Sequence, residues 1–338
     1  MNRRASLLVV ALCLALPALA RAQNPNLIEY RGDQGPGLGK HVVLLAGDHE
    51  YRSEEALPAL ARILARRYGF RCSVLVTTDP KTGFIEPGSS NIQGLDLLRT
   101  ADLLIVFLRF QDFPDAEMRH VVDYLDRGGP VIGLRTATHA FQIQRPDAPF
   151  LKYTWKGVEG YPGGFGRQVL GETWVSHYGT NHKQSSSLVL DPAQTSHPIL
   201  RGVKDVWVES GGYTADPMPG SVVLARGRIL NGMTPDSPPA TDKKELPVAW
   251  TRTYRGASGR EGRVFTTTHG ASEDLRNEGF RRMLVNAVLW AAGLDSAIQP
   301  SSDVSLVGPY NPSTYSFGGF VKGVKPAALA GWDAPIPR

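Results

Sequence analysis

The sequence predicts an α/β fold: a doubly wound, mostly parallel sheet in a three-layer α/β/α arrangement. Three observations predict it. Short continuous apolar runs recur at 42–46, 103–108 and 131–134, as in parallel strands covered on both faces. Between them lie longer segments with helical apolar spacing. Residues 130–141, Pro-Val-Ile-Gly-Leu-Arg-Thr-Ala-Thr-His-Ala-Phe, read as a buried strand entering a tight turn and then a helix, where many α/β enzymes mount a nucleophile.

Val42 to Ala46 form the first strand, ended by Gly47. Ser53, Glu54 and Glu55 open a helix whose buried stripe is Leu57, Leu60, Ile63 and Leu64 and whose end is Gly69. Pro58 lacks an N–H, so the helix starts near it or kinks there, and Glu54 is expected to favour the helix dipole. Residues 72–77 make a second strand that buries Cys72 as a small hydrophobe. A long connection through Pro87 and Gly88 leads to the third strand, 103–108. Pro114 opens the next helix, Met118, Val121, Val122 and Leu125 face inward, and Gly128-Gly129 closes it before the fourth strand at 130–134. Ligands of such sheets collect at the carboxyl ends of the strands. Later strands are expected at 187–190, 206–209, 222–225, 248–253 and 264–268, and Asn277 can cap a last helix lined by Phe280, Met283, Leu284, Ala287 and Val288.

Residues 1–22 carry Met-Asn-Arg-Arg, an apolar run from Ala5 to Ala20 and Ala20-Arg21-Ala22, the parts of a secretory signal. The expectation is an exported, periplasmic or extracellular chain starting at Gln23. Leu12 before Cys13 does not suit a lipid anchor, and no stable membrane insertion is expected after cleavage. A lead-in at 23–39 precedes one domain at 40–294 with an insertion at 145–183, and a Pro/Gly/Ser-rich tail at 295–338 is expected to strap over the domain. Loss of Cys13 leaves Cys72 alone, so no intramolecular disulfide can form. Loss of Arg3, Arg4 and Arg21 lowers the net charge from +5 to +2, which weakens any case for nucleic-acid binding. The oligomeric state is not legible.

At the tight turn stands Arg135, flanked by Gly133 and Ala137. A guanidinium has five donors and no acceptor and attacks no carbonyl, so the scaffold of a covalent enzyme carries anion or hydroxyl recognition instead. Arg109, at the end of the third strand, would stand beside it, and two such forks could hold a carboxylate, a phosphate or sugar hydroxyls. The competing reading pairs them with Asp48, Glu50 or Asp112. His139 and His269 are the candidate proton carriers, although His139 also reads as a buried ring bonded to backbone. His49 and Glu50 end the first strand as substrate-binding candidates, with Glu209 as a further acid. Trp174, Tyr178 and Tyr213, with Trp155, could supply flat faces for a sugar ring, or simply pack the insertion. His49, His177 and His182, with or without Glu50, could assemble a zinc site through tertiary folding, though their spacing fits no zinc signature.

Four phrases carry a resemblance: Gly47-Asp-His-Glu-Tyr51, Gly133-Leu-Arg-Thr-Ala-Thr-His-Ala-Phe141, His197-Pro-Ile-Leu-Arg-Gly202 and Gly262-Arg-Val-Phe-Thr-Thr-Thr268. In this order, over residues 40–294, the chain resembles the class I glutamine amidotransferase-like superfamily, with a flavodoxin-like architecture, and within it the ThuA-like, trehalose-utilisation family. The superfamily's amidotransferases would have Cys where Arg135 stands and His-x-Glu where this chain has His269-Gly270-Ala271. The resemblance therefore sets aside glutamine hydrolysis. It implies a link to disaccharide or keto-sugar utilisation and a catalytic position for His269.

Three functional classes remain. One is a sugar-directed hydrolase, lyase or isomerase using His acid/base chemistry and Arg contacts to oxygen. The second is a non-catalytic sugar-binding or scaffolding protein, and the third a zinc-dependent hydrolase.

Overall fold

The computed structural model describes residues 24–337; the expected signal segment lies outside them. Ten strands form the main sheet: β1 Leu27–Arg31, β2 His41–Gly47, β3 Arg71–Val76, β4 Leu103–Leu108, β5 Val131–Leu134, β6 Ser185–Leu190, β7 Trp207–Val208, β8 Val222–Leu230, β9 Leu246–Arg255 and β10 Glu261–Thr267. Their spatial order is β1-β3-β2-β4-β5-β10-β9-β8-β6-β7. The five strands from β3 to β10 run parallel, and antiparallel strands extend both sides. Three helices follow the sequence pattern: α1 Ser53–Tyr68, α2 Asp115–Asp126 and α3 Glu278–Ala291. The apolar stripes of α1 and α3 cover one sheet face, while α2 and the insertion cover the other.

The helix ends have identifiable causes. Gly69, at φ 80, ends α1 by donating its N–H to the Ala65 and Leu64 carbonyls. Asn277 caps α3 by accepting from the Phe280 N–H at 2.9 Å. Pro58 lies inside α1, in its second turn, and the helix continues through it. The elbow differs from expectation in one respect: the strand enters only a single 3₁₀ turn, Arg135–His139, and no long helix follows.

Two segments close over the carboxyl edge of the sheet. The insertion buries Tyr153, Phe165, Val169 and Leu170. The C-terminal segment buries Val304, Tyr315, Leu329 and Ile336 against the opposite core. Arg62, with no exposed surface, donates to the Leu329 and Ala334 carbonyls at 3.1 and 2.7 Å, fastening that segment to α1. Among the described residues no helix is long and apolar enough to cross a membrane.

Candidate functional site

The strand order reverses between β2 and β4: β3 lies on one side of β2, and the chain then crosses to the other side to form β4. Such a switch point splays the loops at the carboxyl edge and opens a crevice. The loop after β2 is fixed by Asp48, whose carboxylate accepts from the Glu50 N–H at 2.9 Å and from the Tyr51 N–H. The loop after β4 is tied to the elbow: the Phe110 and Gln111 N–H groups donate to the His139 and Ala140 carbonyls at 3.0 and 2.7 Å. Arg109 and His49 meet across the switch point, with Arg109 Nη1 2.8 Å from His49 Nε2. Glu50 Oε2 lies 3.9 Å from Arg109 Nη2 and has no hydrogen-bond partner. Burial and the neighbouring Asp48 push the Glu50 carboxyl up, while burial and Arg109 push the His49 imidazole down.

Arg135 is the residue on which the elbow turns, and its φ of 44° is one that a side chain of this size rarely adopts. Phe110 (φ 52°), Arg52 (φ 62°) and His182 (φ 61°) share that left-handed conformation around the same crevice, a clustering typical of binding sites. The Arg135 side chain has no exposed surface. It donates to the Thr268 carbonyl at 2.8 Å and to the Gly211 carbonyl. Its guanidinium lies 3.9 Å from the Tyr51 ring centroid and 4.7 Å from that of Tyr213. Arg135 therefore forms the charged floor of the crevice and does not line its mouth.

Above this floor, His139 is enclosed by rings: Phe110 at 4.9 Å, Trp174 at 5.4 Å and Tyr213 at 5.7 Å between centroids. Trp155 packs on both Phe110 and Trp174. Thr138 Oγ1 is 3.2 Å from His139 Nδ1. Burial, with Arg109 next, holds this imidazole well below its ordinary range, so it is neutral at neutral pH. His177 lies 5.5 Å from Tyr213 and 3.0 Å, through Nε2, from the Tyr51 hydroxyl, and burial with Arg135 lowers it to about 4. Asn181 donates to the Tyr51 hydroxyl at 3.0 Å and to Glu50 at 3.3 Å.

These loops and strand ends are those of one family model, described as trehalose utilisation and named ThuA, which matches residues 41–291. The chain belongs to the ThuA family. Solved structures similar to it include a ThuA-like protein from Bacteroides uniformis, at 15% identity over 79% of this chain and 96% of that one, with a TM-score of 0.48. A second, from Parabacteroides merdae, shares 16% identity over 82% of this chain and 97% of that one, with a TM-score of 0.40. No curated protein matches the chain.

Within this ThuA chain the expected site residues divide. Arg109, His49, Glu50, His139, Trp174 and Tyr213 converge at the crevice. His269 lies behind it, with no exposed surface: its Nδ1 is 3.4 Å from Ser210 Oγ, which donates to Asp274 at 2.6 Å. Burial lowers His269 to about 3. A Cβ at Gly212 or Gly227 would meet its ring at ordinary contact distance, 3.8 and 3.7 Å. Arg135 and His269 thus shape the floor without reaching its surface. Tyr178 faces away from the crevice: its hydroxyl donates to the Lys244 carbonyl at 2.9 Å and its ring carries Lys243. Glu209 also lies apart, 3.6 Å from Arg276, with burial and Glu273 raising it to about 7.

The expected zinc ligands do not assemble. Among the described residues no three His, Cys, Asp or Glu side chains are grouped to hold a metal. His49 faces the Arg109 guanidinium, His177 bonds to Tyr51, and His182 stacks on Tyr315 at 4.4 Å. The residues present do not fit that ion. Glu54 stands in the first turn of α1, as expected, but it is buried 3.5 Å from Arg52, and burial raises its carboxyl to about 8.

Sequence reasoning missed Phe110, Asn181 and the Ser210–Asp274 pair, and it read Tyr51 only as part of a motif. Phe110 had the one local signal, its place after Arg109 at a strand end.

Proposed function

We propose that this exported ThuA chain is a carbohydrate-directed enzyme whose reacting sugar ring, an oxidised keto-sugar unit, sits over His139. The observation that carries this reading is the set of partly exposed rings Phe110, Trp155 and Trp174, of which Phe110 and Trp174 pack on the neutral His139 imidazole, with the Arg109 guanidinium over Phe110. Aromatic faces suit the C–H side of a pyranose, and the Arg109 donors suit its oxygens.

The chemistry that fits is proton transfer next to a carbonyl. The unprotonated His139 accepts the proton from carbon. The C–H electron pair forms a carbon–carbon double bond as the carbonyl pair moves onto oxygen, where Arg109 meets the developing charge. Burial, with Arg109 next, disfavours the imidazolium, which drives the proton back to carbon or on to a leaving oxygen. Glu50, buried with its Oε2 3.9 Å from Arg109 Nη2, keeps Arg109 in place. Arg135 and His269 act as positioning residues, because they lie beneath the layer formed by His139 and Glu50, which are themselves only 2% and 3% exposed.

That same burial favours a second reading, in which the site binds a sugar and leaves it unchanged. Turnover separates the two. Incubation with a keto-disaccharide and its plain counterpart, followed by proton NMR, should show selective loss of the keto compound. Binding without loss of either would leave the second reading.

A further inference from the structure

We propose that the C-terminal strap supplies an outer sugar subsite, with Phe317 as its aromatic platform, so that the crevice selects a disaccharide over a monosaccharide. The inference rests on the carbohydrate reading above. The strap lies beyond the family match, which ends at residue 291, so this wall is not part of the matched domain.

The strap backbone is fixed along the crevice at successive points. Glu55 accepts from the Ser313 N–H at 2.7 Å, Glu273 from the Tyr315 N–H at 3.1 Å, and the His49 carbonyl from the Gly318 N–H at 3.0 Å. Tyr315 is buried between Tyr51 at 5.1 Å and His182, as a structural anchor should be. Phe317, two residues on, behaves differently: it is 61% exposed on this pinned segment. A phenyl ring left in water contributes little to folding, yet its orientation is set by Arg109 at 4.7 Å and His49 at 5.6 Å.

Arg109 connects the two parts of the crevice. Its guanidinium stands over Phe317 on the strap and, at 4.9 Å, over Phe110, which in turn touches His139. In the carbohydrate reading the reacting ring lies against Phe110, Trp155 and Trp174, the partly exposed rings that cover His139. The unit joined to it extends past Arg109, whose donors can meet its hydroxyls, and onto the exposed face of Phe317.

The test is calorimetric titration of the full chain and of Phe317→Ala with trehalose, used as an unreactive disaccharide, and with glucose. The wild type should bind trehalose more tightly than glucose. Phe317→Ala should weaken trehalose binding about fivefold, the loss of one stacked ring, with glucose affinity and melting temperature unchanged. An unaltered trehalose-to-glucose ratio in the variant would overturn the subsite and leave the carbohydrate reading standing. A parallel fall in both affinities would also overturn it, by showing a packing role. Absence of binding by either sugar to the wild type would overturn both readings.

Discussion

Replacing Arg135 by Met should unfold the protein at a clearly lower temperature before any question of activity arises. Seen only at a sheet edge in the sequence, Arg135 would be a ligand contact whose loss spares stability. The structure reverses that. The substitution removes the donor to two carbonyls, Gly211 and Thr268, both buried beneath the crevice, and the cation between Tyr51 and Tyr213. Each buried carbonyl left unpaired costs about 1–3 kcal/mol. The lost cation–π contacts add about 1 kcal/mol or more, while relief from burying a charge offsets part of the total. A net loss of about 3 kcal/mol lowers the melting temperature of a chain this size by about 4–5 °C. The assay is a thermal melt followed by circular dichroism. Because Arg135 also depresses His177, the His177 ring should titrate at a higher pH in the variant by NMR. A melting temperature within about 1 °C of wild type, with His177 unmoved, would refute the placement of Arg135 as a buried floor.

Asp274→Ala should cost about 3–5 kcal/mol, because one carboxylate accepts from the Ser210, Gly270 and Ala271 N–H groups at 3.1, 3.0 and 3.0 Å as well as from the Ser210 hydroxyl; chemical denaturation measures it, and a loss under about 1 kcal/mol would contradict the network. Stability should also fall as pH rises from 6.5 to 8. Glu54 and Glu55, raised to about 8 and about 7 by burial, hold protons in the folded state that the unfolded chain has already released. Below 6.5 the depressed His41 and His269, at about 4 and about 3, act in the opposite sense: the unfolded chain gains protons there that the folded one does not, which offsets the two carboxyls and leaves stability nearly level below 6.5. Melting temperatures across pH 5 to 8 should therefore be highest on the acid side of neutrality, and a steady rise to pH 8 would contradict the buried carboxyls.

The parallel centre of the sheet was legible because strands covered on both faces must be continuously apolar, as β2 and β4 are. The edge strand β1 was not. Only Ile28 and Tyr30 are buried, with Leu27 and Glu29 half-buried and Arg31 exposed, and two buried residues do not separate a strand from a lead-in. The reading of β8 stopped at Ala225 because Arg226, Gly227 and Arg228 follow, yet these alternate outward, inward and outward on a half-covered strand that runs to Leu230.

For the site, residue types at strand ends picked out Arg109, His49, Glu50 and His139 as residues that meet at one sheet edge, since topology alone brings those ends together. Depth was not legible. Whether an arginine lines a crevice or lies beneath it depends on residues far along the chain, and Arg135 is sealed by Gly211 and Thr268, 76 and 133 positions away. Tyr178 carries the same flat ring as Tyr213, but its hydroxyl is taken by the Lys244 carbonyl, 66 positions distant.

The most direct test of the account is solvent deuterium exchange, followed by proton NMR, of a keto-disaccharide held in D2O with the wild type and with His139→Gln. The account predicts that the wild type erases the signal of the C–H beside the carbonyl, during or before turnover, and that His139→Gln slows this at least about a hundredfold while melting near the wild-type temperature. Equal exchange by both proteins would remove His139 from the chemistry. A C–H signal untouched by the wild type, with the sugar bound, would contradict proton transfer at this site.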